Sequence, residues 1–287
     1  MIYTYPAFND TVLISGHPTG SQIHPFRRQR TLRSASQSKQ DVNRIQPRTV
    51  LFQYVDLSLN ARMLTGLFAV SGANRGIGLE LVYNILKRQP NAIIFAGARD
   101  PSSAKELNEF ASKNPNVHPI KLIADDEESN KQAVDEIKKV ADRLDVVVAN
   151  AGKSACCFAL SRAHRALPGI ASGPQAVQTV DTSAFRQQFE VNTLGPLFMY
   201  KATYPMLIET RENKTDLPAP KFFITSSALG SKGGFFPDFI TAPYGMSKAA
   251  VNYLALSIHH QTEKVGTVVV PYHPGEFTLS NLDLKPT

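Results

Sequence analysis

From Leu67 onward, short runs that are apolar along their whole length alternate with segments of helical period. That alternation constrains the fold more than any other feature of the chain. Leu67-Phe68-Ala69-Val70 is the first such run, and residues 76–88 follow with Ile77, Leu81, Ile85 and Leu86 on one helical face. Ala92 to Ala96, residues 117–123, Leu144 to Ala149, Lys221 to Thr225 and Thr267 to Val270 read as the next strands. Helices are predicted at 102–112, 126–141, 181–209 and 243–264, the third of these with a break at Gly195-Pro196. Strands that are apolar on both faces belong to a parallel sheet covered by helices on each side. Right-handed crossovers then predict an α/β fold with a doubly wound parallel sheet, and a ligand at the carboxyl ends of its strands.

Residues 1–62 lack this pattern. Pro6, Pro18, Pro25 and Pro47 interrupt them, and 27–40 is rich in Arg, Ser and Gln. They read as an irregular, disordered extension ahead of one domain spanning 63–287. Their eight Arg/Lys against three Asp carry five of the net seven positive charges, so the basic character belongs mainly to the extension. No nucleic-acid module accompanies it, and no nucleic-acid partner is expected. The composition resembles a mitochondrial presequence, but the scattered prolines and weak amphipathic pattern argue against one. No run of about 18 apolar residues exists, so no membrane partner is expected. The two cysteines, Cys156 and Cys157, are adjacent and imply no disulfide framework. A reducing compartment, the cytoplasm, is the expectation.

The first apolar run ends in Ser71-Gly72-Ala73-Asn74-Arg75-Gly76-Ile77-Gly78. Glycines between a strand and a helix allow a tight turn and close approach of backbone to a pyrophosphate, which the helix N-terminus then attracts. This is the context that a dinucleotide-binding Rossmann fold requires. The second strand ends Ala98-Arg99-Asp100. An acid there serves a ribose 2′-hydroxyl, whereas Arg99, with Arg75 in the turn, suits a 2′-phosphate. Asp100, just before Pro101, competes for the first role or caps the next helix.

Tyr244-Gly245-Met246-Ser247-Lys248 places a lysine one helical turn after a tyrosine, at the start of the helix after the fifth strand. A positive charge beside the phenol favours the phenolate and lowers its pKa from about 10. Ser226-Ser227-Ala228-Leu229-Gly230 directly follows that strand, within reach of the same site. A tuned acid, a hydrogen-bond donor and a bound hydride carrier suffice for carbonyl reduction.

With these motifs in order, the chain resembles the short-chain dehydrogenase/reductase family over roughly residues 66–275. The matching residues are Ser71-Gly72, Gly76 and Gly78; Asn150-Ala151-Gly152 after the fourth strand; Asn192 within Val191-Asn192-Thr193; Ser227; Tyr244 with Lys248; and Pro274-Gly275. Within the family, the core resembles fungal ketoreductases of the norsolorinic acid ketoreductase kind. The resemblance implies an NADPH-dependent reductase of ketones or aldehydes, in secondary metabolism, with a small-molecule carbonyl substrate. It allows a homo-oligomer. It implies that Tyr244 is the general acid, that Lys248 binds the nicotinamide ribose and tunes Tyr244, and that Ser227 orients the carbonyl. Ser227 is preferred to Ser226 because it stands three residues before Gly230. Asn192 would hold a water in a proton relay. Ser71, Gly72, Asn74, Arg75, Gly76, Ile77, Gly78, Arg99, Asn150, Gly152, Pro274 and Gly275 would form the NADPH (NADP+) site, with Tyr244 and Lys248. Asn150 and Gly152 would act there as supports.

Departures from the family pattern carry their own expectations. Ser71 stands where the family usually has Thr, and Leu279 where a Thr usually follows Pro274-Gly275, with Thr278 one residue away. Pro168-Gly169 and Gly173-Pro174 suggest an inserted loop between Gly152 and Asn192. The chain stops at Thr287, which implies a shortened C-terminal end, an open edge on the sixth strand, and a second functional reading as a catalytically impaired dinucleotide-binding or interaction protein. His259, His260 and His273 have no ligand set at metal spacing, so no metal is expected. Asp125-Asp126-Glu127-Glu128 reads as the acidic first turn of a helix.

Overall fold

The computed structural model describes residues 66–153, 177–213, 217–231, 233 and 242–275. The leading extension, Cys156 and Cys157, the two Pro-Gly pairs of the inserted loop, Thr278 and Leu279 all lie outside the described residues. Six strands form one parallel sheet in the order β3-β2-β1-β4-β5-β6. They are β1 (Leu67–Ser71), β2 (Ile93–Ala98), β3 (Val117–Lys121), β4 (Val146–Ala149), β5 (Lys221–Thr225) and β6 (Val268–Tyr272). The helices between them are α1 (Gly76–Arg88), α2 (Lys105–Lys113), α3 (Glu127–Lys138), α4 (Thr182–Phe189), α5 (Gly195–Asn213) and α6 (Ala242–Thr262).

Because successive side chains of a strand point to opposite faces, each strand feeds two cores. Leu67 and Ala69 of β1 join Val147, Phe222 and Ile224 on one face, under Ile137 of α3, Leu207 of α5 and Val251 of α6. Phe68 and Val70 join Ile94, Val146 and Phe223 on the other, under Val82 and Ile85 of α1 and Leu107 of α2. Phe68, Phe95, Phe222, Ile94 and Ile224 are essentially inaccessible to solvent. Burying a side chain of this size contributes about 1.5–3 kcal/mol.

The predicted break at Gly195-Pro196 is corrected by the structure. The helix runs through that pair, and the irregular turn lies earlier, as a π-helical segment at Glu190–Leu194. The π-helical turn ends directly before Gly195, and Pro196, which has no N–H to donate to the turn behind it, stands just past that irregularity. Gly195 serves a close approach instead: a Cβ there would stand 3.1 Å from the Ala124 carbonyl oxygen. The acidic run does open α3, with Asp126 accepting the Ser129 N–H at 2.9 Å and Glu127 and Glu128 in the first turn. On β6, the strand runs two residues further than its apolar run, to Tyr272.

The strand order reverses between β1 and β4, and ligands of such sheets bind in the crevice at that point. The loop after β1 carries the glycine turn, and the loop after β4 carries Asn150 to Gly152.

Candidate active site

The glycine turn is built by backbone demands that only glycine meets. Gly72 and Gly76 have φ of 66° and 57°, in the left-handed region. At Gly78 a Cβ would lie 2.2 Å from the Gly72 carbonyl oxygen, so the turn folds directly onto the start of α1. Around Gly76 that space is open, with nothing within 4 Å of a Cβ. The Arg75 side chain makes no cap at the start of α1, and no acidic residue sits in the helix's first turn. Free N–H groups, a positive dipole end and an open approach fit the pyrophosphate of a dinucleotide. Asn74 is half-buried, Arg75 is exposed, and Ile77 packs against the core beneath.

Asn150 ties three strand ends together. Its Nδ2 donates to the Ser71 carbonyl at 3.0 Å, and its Oδ1 accepts from Thr225 Oγ1 at 3.3 Å. Ser71 Oγ in turn accepts the N–H groups of Asn150 and Ala151, each at 3.0 Å, so the hydroxyl kept by the Ser is in use. At the end of β2, Arg99 and Asp100 are both exposed. Asp100 takes the capping role: its carboxylate accepts the Ser102 N–H at 3.1 Å and hydroxyl at 2.6 Å. The Ser102 hydroxyl holds this carboxyl below its usual range.

The serine turn and the Tyr-Lys helix meet through glycines. A Cβ on Gly230 would stand 2.6 Å from the Lys248 carbonyl carbon, and one on Gly245 would stand 3.0 Å from the Leu229 carbonyl oxygen. Ser226 is buried and donates to Asn252 Oδ1 at 2.5 Å. Ser227 is half-buried and accepts the Leu229 N–H at 3.2 Å, which leaves its own proton to be donated.

Lys248 is buried, and its Nζ donates to the Thr225 carbonyl at 2.7 Å. Burial pulls its ammonium down to about 8. The same Nζ lies 5.6 Å from the centroid of the half-buried Tyr244 ring. From the other side, a Cβ on Gly152 would stand 3.8 Å from Lys248 Nζ and 3.3 Å from Asn192 Oδ1, so Gly152 leaves room between them. Asn192 is fully buried on the π-helical segment, a distortion common at functional sites. Its Oδ1 accepts the Lys153 N–H at 2.7 Å. Its Nδ2, with two hydrogens to donate, lies within hydrogen-bond distance of the Lys153 carbonyl, Gln188 Oε1 and Ser247 Oγ at 2.9, 2.7 and 3.1 Å. Pro274 is buried and Gly275 turns with φ of 86° just past β6.

The fold therefore brings Ser227, Tyr244, Lys248, Asn192 and Gly152 to one end of the sheet. Sequence reasoning missed Thr225, Tyr272, Ser247 and Gln188. Thr225 closes the run read for its strand, whereas Tyr272 lies two residues past the run read for β6. Among the described residues, no group of three or more His, Cys, Asp or Glu could hold a metal ion, and no helix is long and apolar enough to cross a membrane.

Comparison with known proteins shows the family of the chain. The pattern of the short chain dehydrogenase family matches residues 67–283. An oxidoreductase of Schizosaccharomyces pombe is 34% identical over 209 residues, covering 73% of this chain and 72% of the relative. Short-chain dehydrogenase RED3 of Pyricularia oryzae is 28% identical over 211 residues, 72% of this chain and 74% of the relative. Among solved structures, the carbonyl reductase Sniffer of Drosophila melanogaster superposes with a TM-score of 0.63 at 25% identity, over 73% of this chain and 80% of that one. The NADPH-bound carbonyl reductase from chicken fatty liver superposes with a TM-score of 0.63 at 25% identity, over 75% and 80%. The chain belongs to the short-chain dehydrogenase family of NAD(P)-dependent oxidoreductases.

Proposed function

We propose that the protein is an NADPH-dependent carbonyl reductase that converts a ketone or aldehyde to an alcohol. The observation that carries this reading is the buried Lys248 ammonium beside the Tyr244 ring, with Ser227 on the turn packed against the same helix. The carbonyl reductases among the similar structures support the substrate class, and one of them is NADPH-bound.

A bound nicotinamide supplies the hydride. Tyr244 gives its hydroxyl proton to the carbonyl oxygen, and Ser227 donates a hydrogen bond to the same oxygen. Lys248 holds positive charge near the phenol as the proton leaves and reaches the nicotinamide ribose. Asn192, whose side chain fastens the Lys153 main chain to α4 and to Ser247 of α6, would hold the water of a proton relay to Lys248. Any water of a relay to Lys248 would sit in the space that Gly152 leaves. The glycine turn holds the pyrophosphate, and Asn150, Pro274 and Gly275 shape the cleft around it. Arg75 and Arg99 take a 2′-phosphate, which Asp100 does not contest because Ser102 occupies it. An exposed apolar stripe of Met246, Tyr253 and Leu256 on α6, beside Phe189 of α4, is the face we assign to a second copy of this chain.

The test is NADPH consumption over a panel of aromatic and polyketide-type ketones and aldehydes, for wild type and Tyr244→Phe. Turnover by the wild type alone is expected. Equal turnover by both proteins overturns the assignment.

A further inference from the structure

Lys248 needs an acceptor at a defined place, and the structure supplies it through one peptide unit. β4 ends at Ala149, opposite Ile224, so the next carbonyl of β5, that of Thr225, has no partner strand on that side. Lys248 Nζ donates to it at 2.7 Å. The N–H of the same peptide, on Ser226, donates to the Tyr272 carbonyl at 2.7 Å. In a trans peptide the N–H and C=O point to opposite sides, so anchoring one on β6 aims the other at Lys248.

Side chains reinforce this aim. Thr225 and Tyr272 are register partners in the parallel β5–β6 pair. Their hydroxyl oxygens are 2.8 Å apart, and Thr225 Oγ1 is also 3.3 Å from Asn150 Oδ1. One consistent arrangement has Tyr272 donating to Thr225, Thr225 donating to Asn150, and Asn150 donating to the Ser71 carbonyl. Tyr272 is 8% exposed, and a hydroxyl buried to that degree is costly unless paired. The hydroxyl pair thus links the end of β6 to both the Lys248 acceptor and the glycine turn.

We propose that Thr225 and Tyr272 are positioning residues of the reductase: their paired hydroxyls hold the end of β5 so that its last carbonyl receives the Lys248 ammonium. This rests on the reading of Tyr244 and Lys248 above. Among the described residues, Lys248 Nζ lies 5.6 Å from the Tyr244 ring centre of α6, and Thr225 pairs with Tyr272 of β6. Burial alone lowers Lys248, with no carboxylate acting on it among the described residues.

The test uses Thr225→Val, Thr225→Ser, Tyr272→Phe and the double variant Thr225→Val/Tyr272→Phe. Thr225→Val leaves the Tyr272 hydroxyl buried without its partner and melts lower than wild type. The double variant replaces both partners with apolar groups of like shape and recovers the melting temperature. Its kcat stays low, about five- to tenfold below wild type, because misplacing a catalytic group costs rate. Thr225→Ser keeps the hydroxyl and recovers most of kcat. Titration of the Lys248 ammonium by 15N NMR gives a reading independent of turnover. Its pKa falls in Thr225→Val and in the double variant, since a well-aligned acceptor favours the charged form, and it is restored in Thr225→Ser. If kcat returns together with the melting temperature in the double variant, the pair is merely structural and the proposal fails. If Lys248 titrates alike in all the proteins, the proposal fails whatever the turnover. Loss of the Tyr244 reading shows separately, as unchanged turnover in Tyr244→Phe.

Discussion

Lys248 Nζ sits 5.6 Å from the centre of the Tyr244 ring, one helical turn away, while its hydrogen bond reaches back to the carbonyl of Thr225. The ammonium is held between the strand end and the phenol. Removing the phenol hydroxyl leaves that arrangement intact. Tyr244→Phe is therefore expected to bind NADPH as the wild type does and to lose turnover by about 10²–10⁴-fold, the range for a general acid. Fluorescence titration with NADPH and steady-state kinetics check the two halves.

Lys248 also has a signature in stability. Burial lowers it from 10.5 to about 8. Between those values the unfolded chain binds more protons than the folded one, so folding stability rises with pH across the window. Below about 8 the buried charge costs its full amount, at most roughly 3 kcal/mol for a shift of this size. The abandoned Thr225 carbonyl takes part of that back in a variant. Lys248→Met should melt higher than wild type near neutral pH, with the difference shrinking above pH 8 and gone above about 10.5. Melting curves across that range test it. An advantage that grows with pH would contradict the sign.

Gly230 has no room for a side chain, since a Cβ would press on the main chain of Lys248 and Ala249 at 2.6–2.8 Å. Neither neighbour is a flexible side-chain end, so the serine turn must move off the helix. Gly230→Ala should cost about 1–3 kcal/mol of stability. It should also lower kcat by separating Ser227 from Tyr244, while NADPH binding at the distant glycine turn is retained. Retained kcat would show that the turn and helix need not touch.

Cofactor choice turns on Arg99. NADPH should bind more tightly than NADH, because a 2′-phosphate accepts paired, charge-assisted hydrogen bonds from arginine. Arg99→Ala should weaken NADPH and leave NADH nearly unchanged. Equal affinity for both cofactors in the wild type would remove Arg99 from the site.

The apolar stripe on α6 predicts a dimer. Tyr253 is 74% exposed and Met246 61%, at helical spacing. Tyr253→Glu should shift the particle to a smaller mass by light scattering without changing the melting temperature by more than a degree or two. An unchanged mass would leave this face without a second copy.

Local pattern by itself determined most of the framework. Apolar runs located all six strands, with ends that differ by up to two residues from those of the folded sheet, because hydrophobic periodicity is a property of short segments. The same holds for the glycine turn and for Tyr244 with Lys248, whose spacing alone places them on one helical face. The preference for Ser227 over Ser226 rests on the distance to Gly230, whereas the hydrogen bond of Ser226 to Asn252 appears only in the folded chain. Other features were decided only when distant segments met. The π-helical turn at Asn192 is invisible to periodicity, because it is held by the Lys153 main chain 39 residues away. Gly195 reads in sequence as a helix break, yet it is a contact point with the loop after β3. Thr225 and Tyr272 are 47 residues apart and become neighbours only through the β5–β6 register. Burial of the Lys248 ammonium belongs to the same class, since desolvation depends on every segment packed around a group and none of that is written in its own neighbours.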